Sequence, residues 1–167
     1  YEISTRDWSS DVCSSDLEAQ FSFLQQVTAK FNEVQKTIRD IRSVRSQIND
    51  FIGRQGKDMP KEVKQMADSI NKKMTIIEEA LYQTKSKSGQ DPLNYPIRLN
   101  DKLSGVFSAA NSGITAPSKQ VKEVYQELAA QCDVQIAAMK KIQEDELARF
   151  NQLIREKSLP IIGVGGK

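Results

Sequence analysis

The chain has 167 residues, enough for one domain with a real core, and 28% of them are charged while only 7% are aromatic. With 8 Gly and 5 Pro, that composition suits helices and disfavours a β protein, which needs more β-branched and aromatic residues and more turns. No apolar run approaches the 18 or so residues a membrane-spanning helix needs, and the formal net charge of +2 is modest.

Residues 7–17 read Asp-Trp-Ser-Ser-Asp-Val-Cys-Ser-Ser-Asp-Leu. This stretch resembles, residue for residue, a translated sequencing adapter of the kind that contaminates metagenomic assemblies, and Tyr1, Glu2, Ile3 and Arg6 fit its upstream part. Residues 1–17 are therefore expected to be an artefact without ordered structure, and such segments are set aside in fold reasoning. Native sequence is then expected to begin near Glu18. Trp8 and Cys13 drop out, leaving Cys132 as the one native cysteine, so no intramolecular disulfide is expected. Setting aside Arg6 and the acids Glu2, Asp7, Asp11 and Asp16 leaves 23 basic against 18 acidic residues, a charge of +5.

The remainder predicts an all-α fold over residues 18–158. A first helix is expected over 18–52, with Phe21, Leu24, Val27, Phe31, Val34, Ile38, Ile41, Val44, Ile48 and Ile52 stepping by three or four along one face. That spacing, averaging near 3.5, is typical of long antiparallel bundles and coiled coils. Gly53 and Gly56 are expected to close the helix, and Asp58 with Pro60 to open the next. The second helix, over 61–84, places Val63, Met66, Ile70, Met74, Ile77 and Leu81 on one face. Residues 85–96 are rich in helix breakers and read as loop, with Leu93 and Tyr95 expected to pack on the bundle end. A short helix over 97–111 turns Leu99, Leu103, Val106, Phe107 and Ala110 inward. Gly105 in its middle costs about 1 kcal/mol relative to alanine and predicts close approach of a neighbouring helix.

The last helix, over 117–157, opens at Thr115 and Pro117 and carries Val121, Val124, Leu128, Cys132, Ile136, Met139, Ile142, Leu147, Phe150 and Ile154. At 1.5 Å per residue it is about 60 Å long, so its apolar face demands partners from the rest of the chain. The second and third helices together match the first or last in length. Two packings fit an elongated antiparallel bundle: three layers with the middle one broken at 85–96, or four helices with the third folded back. Residues 159–167 form a tail, since Pro160 stops the helix.

Candidate chemistry is sparse. Histidine is absent, which removes Ser-His and Cys-His pairs, HExxH zinc sites and the Glu-x-x-His di-iron motif. Cys132, in mid-helix on an apolar stripe, lacks the base or helix N-terminus a reactive thiolate needs and reads as core. Glu144, Asp145 and Glu146 form the densest acidic cluster. Lys140, Lys141 and Arg149 lie four residues from Glu144, Asp145 and Asp145 respectively, so the cluster reads as a solvated face of surface ion pairs. Lys36, Arg39, Arg42, Arg45, Arg54 and Lys57 make the first helix basic. Glu33, Asp40 and Asp50 interrupt that charge, and a net charge of +5 is modest, so pairing to acids on a neighbouring helix is expected in place of nucleic-acid binding. The terminal Gly163-Val-Gly-Gly-Lys lacks the Ser/Thr and the following helix of a phosphate loop. No catalytic, metal or cofactor residue is assigned.

Four segments carry a resemblance: Ile41-Arg-Ser-Val-Arg-Ser-Gln-Ile-Asn-Asp50, Asn94-Tyr-Pro-Ile-Arg-Leu-Asn-Asp-Lys-Leu103, Ala116-Pro-Ser-Lys-Gln120, and Phe150-Asn-Gln-Leu-Ile-Arg155 ahead of Leu159-Pro160. Over roughly residues 18–167 the chain is similar to the C-terminal helical region of large bacterial proteins with a sortilin-like or BNR (Asp-box) β-propeller, often called glycosyl hydrolases. The chain contains no Asp-box repeat, so no propeller residue carries over. The resemblance implies a C-terminal fragment of an exported, periplasmic or extracellular, protein. Its propeller partner would lie upstream, lost where the adapter interrupts the frame, and the fragment itself would be non-catalytic. A free-standing coiled-coil adaptor that binds other proteins is the alternative.

Overall fold

The computed structural model describes residues 14–56, 59–85 and 94–159. The helices are α1 (Ser14–Gln55), α2 (Lys61–Leu81), α3 (Leu99–Ala110), α4 (Lys119–Lys141) and α5 (Leu147–Glu156), the last two joined by a π-helical turn at Ile142–Glu146. No strand occurs among the described residues, and the fold is an all-α helical bundle.

Cross-helix pairs set the topology. As α1 is followed backwards, Asn49 meets Asn71, Arg45 and Arg42 meet Glu78, Gln35 meets Asn100, and Gln20 meets Ala110. Partner numbers rise steadily as those on α1 fall, so α2 and α3 follow one another in a single layer antiparallel to α1. The final helices run parallel to α1, with Tyr125 on Gln26, Asp133 on Lys30 and Phe150 on Phe51. They run antiparallel to α2, through Lys73–Glu146 and Lys157–Glu62. Of the two packings the sequence allows, this is the three-layer bundle with a broken middle layer.

α1 starts four residues before Glu18, inside the adapter-like stretch. Extending an existing helix by a turn is cheap once its nucleus has formed, and Asp16 in the first turn suits the dipole. Residues 1–13 of that stretch lie outside the described residues. At its other end α1 runs through Gly53 to Gln55. Only Gly56, at φ +61°, takes the left-handed conformation that stops it. α2 begins after Pro60, whose carbonyl accepts from Lys64 N at 3.2 Å; Asp58 lies outside the described residues.

α2 ends at Leu81, three residues earlier than expected. Tyr82 turns extended (φ −136°, ψ 142°), and its ring lies 5.1 Å from the Arg42 guanidinium carbon. Gln83 Nε2 bridges the break to Pro96 O at 2.8 Å. Tyr95 is 38% exposed instead of packed on the bundle end, and Leu93 lies outside the described residues. The break continues through Arg98, so α3 starts at Leu99 and leaves Ile97 exposed. The final helix opens later too: Ser118 is its N-cap, its Oγ accepting from Val121 N at 3.3 Å, while Pro117 is buried ahead of it. It closes at Ser158 (φ 52°), with Ser158 N bonded to Arg155 O and Leu159 N to Ile154 O, the paired bonds of a Schellman motif. Residues 160–167, including the Gly163–Lys167 run, lie outside the described residues.

The apolar stripes supply the core, in which Val27, Val34, Ile41, Val63, Ile70, Met74, Leu81, Leu103 and Cys132 are fully buried. Some positions shift. On α1, Phe23 turns inward in place of Phe21, and Phe51 is buried beside the half-buried Ile52; the two phenylalanines make edge-to-face contacts with Tyr125 (5.3 Å) and Phe150 (6.2 Å). Val124 is exposed because Tyr125 takes the inward position, and Phe107 is left on the surface.

Gly105 has no close neighbour. A Cβ built there meets no heavy atom within 4 Å, which overturns the expected close approach and leaves only the helix-propensity cost. Gly105→Ala is therefore expected to stabilise the bundle by about 1 kcal/mol and raise its Tm by roughly 2–4 °C. A thermal melt with unchanged or lower Tm would contradict this open environment.

Candidate functional site

Four polar side chains are buried in the described structure: Gln20, Thr37, Glu78 and Asn100. Three of them tie helices together, and Thr37 bonds back along its own helix. Gln20 Nε2 donates to Ala110 O and Gly113 O, both at 2.7 Å, so a side chain of α1 satisfies the last carbonyl of α3 and one in the turn that follows it. Thr37 Oγ1 donates to Glu33 O at 2.9 Å, and Gln35 Nε2 donates to Asn100 Oδ1.

Glu78 accepts from Arg42 Nε at 2.8 Å and from Arg45 Nη1 at 2.5 Å. Its carboxylate is nearly closed off, whereas Arg42 reaches solvent. Burial pushes the Glu78 carboxyl up, but the hydrogen bonds and charges of the two guanidiniums outweigh it, and the pKa falls below its ordinary 4.5. The pairing expected for the basic stretch of the first helix thus holds for Arg42 and Arg45. Lys36 pairs within α1 to Asp40 at 2.7 Å, Arg39 makes no ion pair among the described residues, and Lys57 lies outside them.

A second charged knot surrounds Cys132. Lys30 Nζ sits 2.7 Å from Glu33 and 2.6 Å from Asp133, and Tyr125 OH donates to Gln26 O at 3.1 Å. Burial works against the Lys30 charge, but the two carboxylates prevail and its pKa is raised. Burial pushes the Cys132 thiol up to about 11, helped by Asp133 and Glu33 and opposed by Lys30. A fully buried thiol held protonated is a packing group and a poor nucleophile.

The acidic cluster falls in the π turn. Leu147 N bonds to Ile142 O five residues back, which offsets the following turn by one residue. Glu144 and Asp145 are exposed, and among the described residues none of the three expected pairs with Lys140, Lys141 and Arg149 forms. Their i,i+4 geometry presumes an unbroken α-helix. Glu146 instead crosses to Lys73 at 2.7 Å.

Open grooves lie between the helices. One of about 520 Å³ runs between the C-terminal part of α1 and α5, with Phe51 and Phe150 in its floor and Asp50, Arg54 and Arg155 on its rim. Another of about 330 Å³, at the break between α2 and α3, carries Arg98 and Lys102. Two more, of about 220 and 450 Å³, adjoin on the α1/α3 face and share Thr28 and Phe107. No carboxylate pair converges in any of these grooves. Among the described residues no group of three or more His, Cys, Asp or Glu gathers as a metal site, and no helix is long and apolar enough to cross a membrane. No protein-family model, curated protein or solved structure matches the chain.

Proposed function

We propose that this bundle is a non-catalytic helical domain with a structural role, supporting a β-propeller in an exported glycosyl hydrolase-like protein. What supports the non-catalytic part is the use of the buried polar groups: Gln20, Glu78 and Asn100 tie helices together, and Thr37 bonds back along α1. The propeller partner and export rest on the four segments quoted above and on nothing else. Purified protein should release no product from a panel of aryl glycosides, with Glu144→Gln and Asp145→Asn making no difference. Turnover that disappears in either variant would overthrow the reading.

A second reading, a helical adaptor that binds other proteins, is favoured by the surface of α1 and α3, where Phe21 is 63% exposed and Phe107 is also uncovered.

A further inference from the structure

We propose that the α1/α3 face is a two-fold interface between two copies of this chain. The inference rests on the adaptor reading and names its partner.

The first ground is charge. The two adjoining hollows on this face are lined without a single charged residue, in a chain where 28% of residues are charged. The other grooves carry Asp50, Arg54 and Arg155, or Arg98 and Lys102, and would bring like charges toward each other across a two-fold axis. An uncharged face meets its own copy without that cost.

The second ground is shape. Phe21 stands out from α1 as a knob, 63% exposed. One heptad further along the same helix is a hollow of about 220 Å³ lined by Thr28, Phe31, Leu103 and Phe107. A cavity of roughly 150 Å³ holds benzene, so this hollow has room for a phenyl ring. Seven residues of helix place knob and hollow about 10.5 Å apart. An antiparallel α1–α1 pairing centred between Leu24 and Gln25 brings the Phe21 of each copy opposite the hollow of the other. Knob meets hole twice, the reciprocal contact that a two-fold interface requires. A face of this composition buried at its centre has the makings of a binding hot spot, aromatic and desolvated.

The test uses the full chain with Cys13→Ser, followed by sedimentation from about 1 to 200 µM. A reversible monomer–dimer equilibrium is expected. Phe21→Glu should raise its dissociation constant at least about 30-fold with helicity unchanged, and Ser104→Arg, which puts a charge into the hollow, should do the same. Ile76→Glu, on α2 and equally exposed, should leave it unaltered. Gln25→Cys, next to the proposed axis, should form a disulfide between copies. Asn32→Cys should not, since its two positions would lie about 22 Å apart along the helices. A protein that stays monomeric, a dimer indifferent to Phe21→Glu and Ser104→Arg, or cross-linking at Asn32→Cys but not at Gln25→Cys would each overturn the interface. Glycoside turnover would instead overturn the non-catalytic reading and leave the interface standing, so the two failures are separable.

Discussion

Ile136→Asp is expected to unfold the bundle, or to cost it more than about 4 kcal/mol, the range reached when an unpaired charge enters a core. Ile136 is 5% exposed on α4, in line with the buried Cys132 and Met139. Val134, two residues away, is 65% exposed, so Val134→Asp should change stability by no more than about 0.5 kcal/mol. Urea unfolding followed by circular dichroism compares the two directly. Equal effects would mean that α4 does not present the face described.

The clasp on Glu78 should give the second large effect. Removing both guanidiniums with Arg42→Ala and Arg45→Ala strands a carboxylate that is only 6% exposed, and breaking a buried pair from one side costs about 3–5 kcal/mol. Adding Glu78→Leu should recover most of that loss, because the stranded charge goes with it. The pH dependence supplies a sharper readout. In the native chain the Glu78 pKa lies below its unfolded value, so its stabilisation is complete above about pH 4.5 and fades as pH falls through the folded value. Without the arginines only burial acts, the pKa rises, and the variant should gain stability as the medium is acidified from neutrality. Stability curves of the same slope for both proteins would exclude Glu78 as a clasped carboxylate.

Self-pairing through Phe21 and the Ile136 core concern opposite fates of the same kind of residue, and the difference shows what a stripe can tell. The α1 pattern included Phe21 and passed over Phe23, yet Phe23 is buried and Phe21 stands in solvent. A stripe locates a face only to within a residue or so at each turn. Near the start of α1, α3 and α4 pack on different sides of the helix and decide which flank is covered. Gln20 shows the same limit. A polar residue just before a stripe carries no mark of being inside until the open carbonyls at the end of α3 arrive beside it.

The π turn is a different case, because its signal was present. Along the last helix the apolar steps are three or four residues except from Ile142 to Leu147, which is five. A straight α-helix would swing Leu147 off the face, and one i→i+5 turn brings the stripe back into line so that Phe150 and Ile154 are buried. The surface pairs assigned to Glu144 and Asp145 failed for that reason. Gly105 runs the other way: a glycine within a helix can mark a tight approach, but here it faces open space.

By itself the sequence determined the helical class, the position of each helix to within a few residues and most of the buried set. These follow from local periodicity, from breakers at Gly56, Pro60 and Pro96, and from the absence of any long apolar run. It also determined that Arg42 and Arg45 would seek acids across the bundle. Tertiary structure alone decided between three layers and four helices, because the 85–96 connection can either continue a layer or fold back, and distant pairs such as Gln35–Asn100, Gln20–Ala110 and Lys30–Asp133 distinguish them. It alone chose Glu78 as the acid to bury, and it alone left an uncharged aromatic face uncovered on α1 and α3. These outcomes depend on which residues far apart in the chain come within reach of one another, and no local pattern encodes that distance.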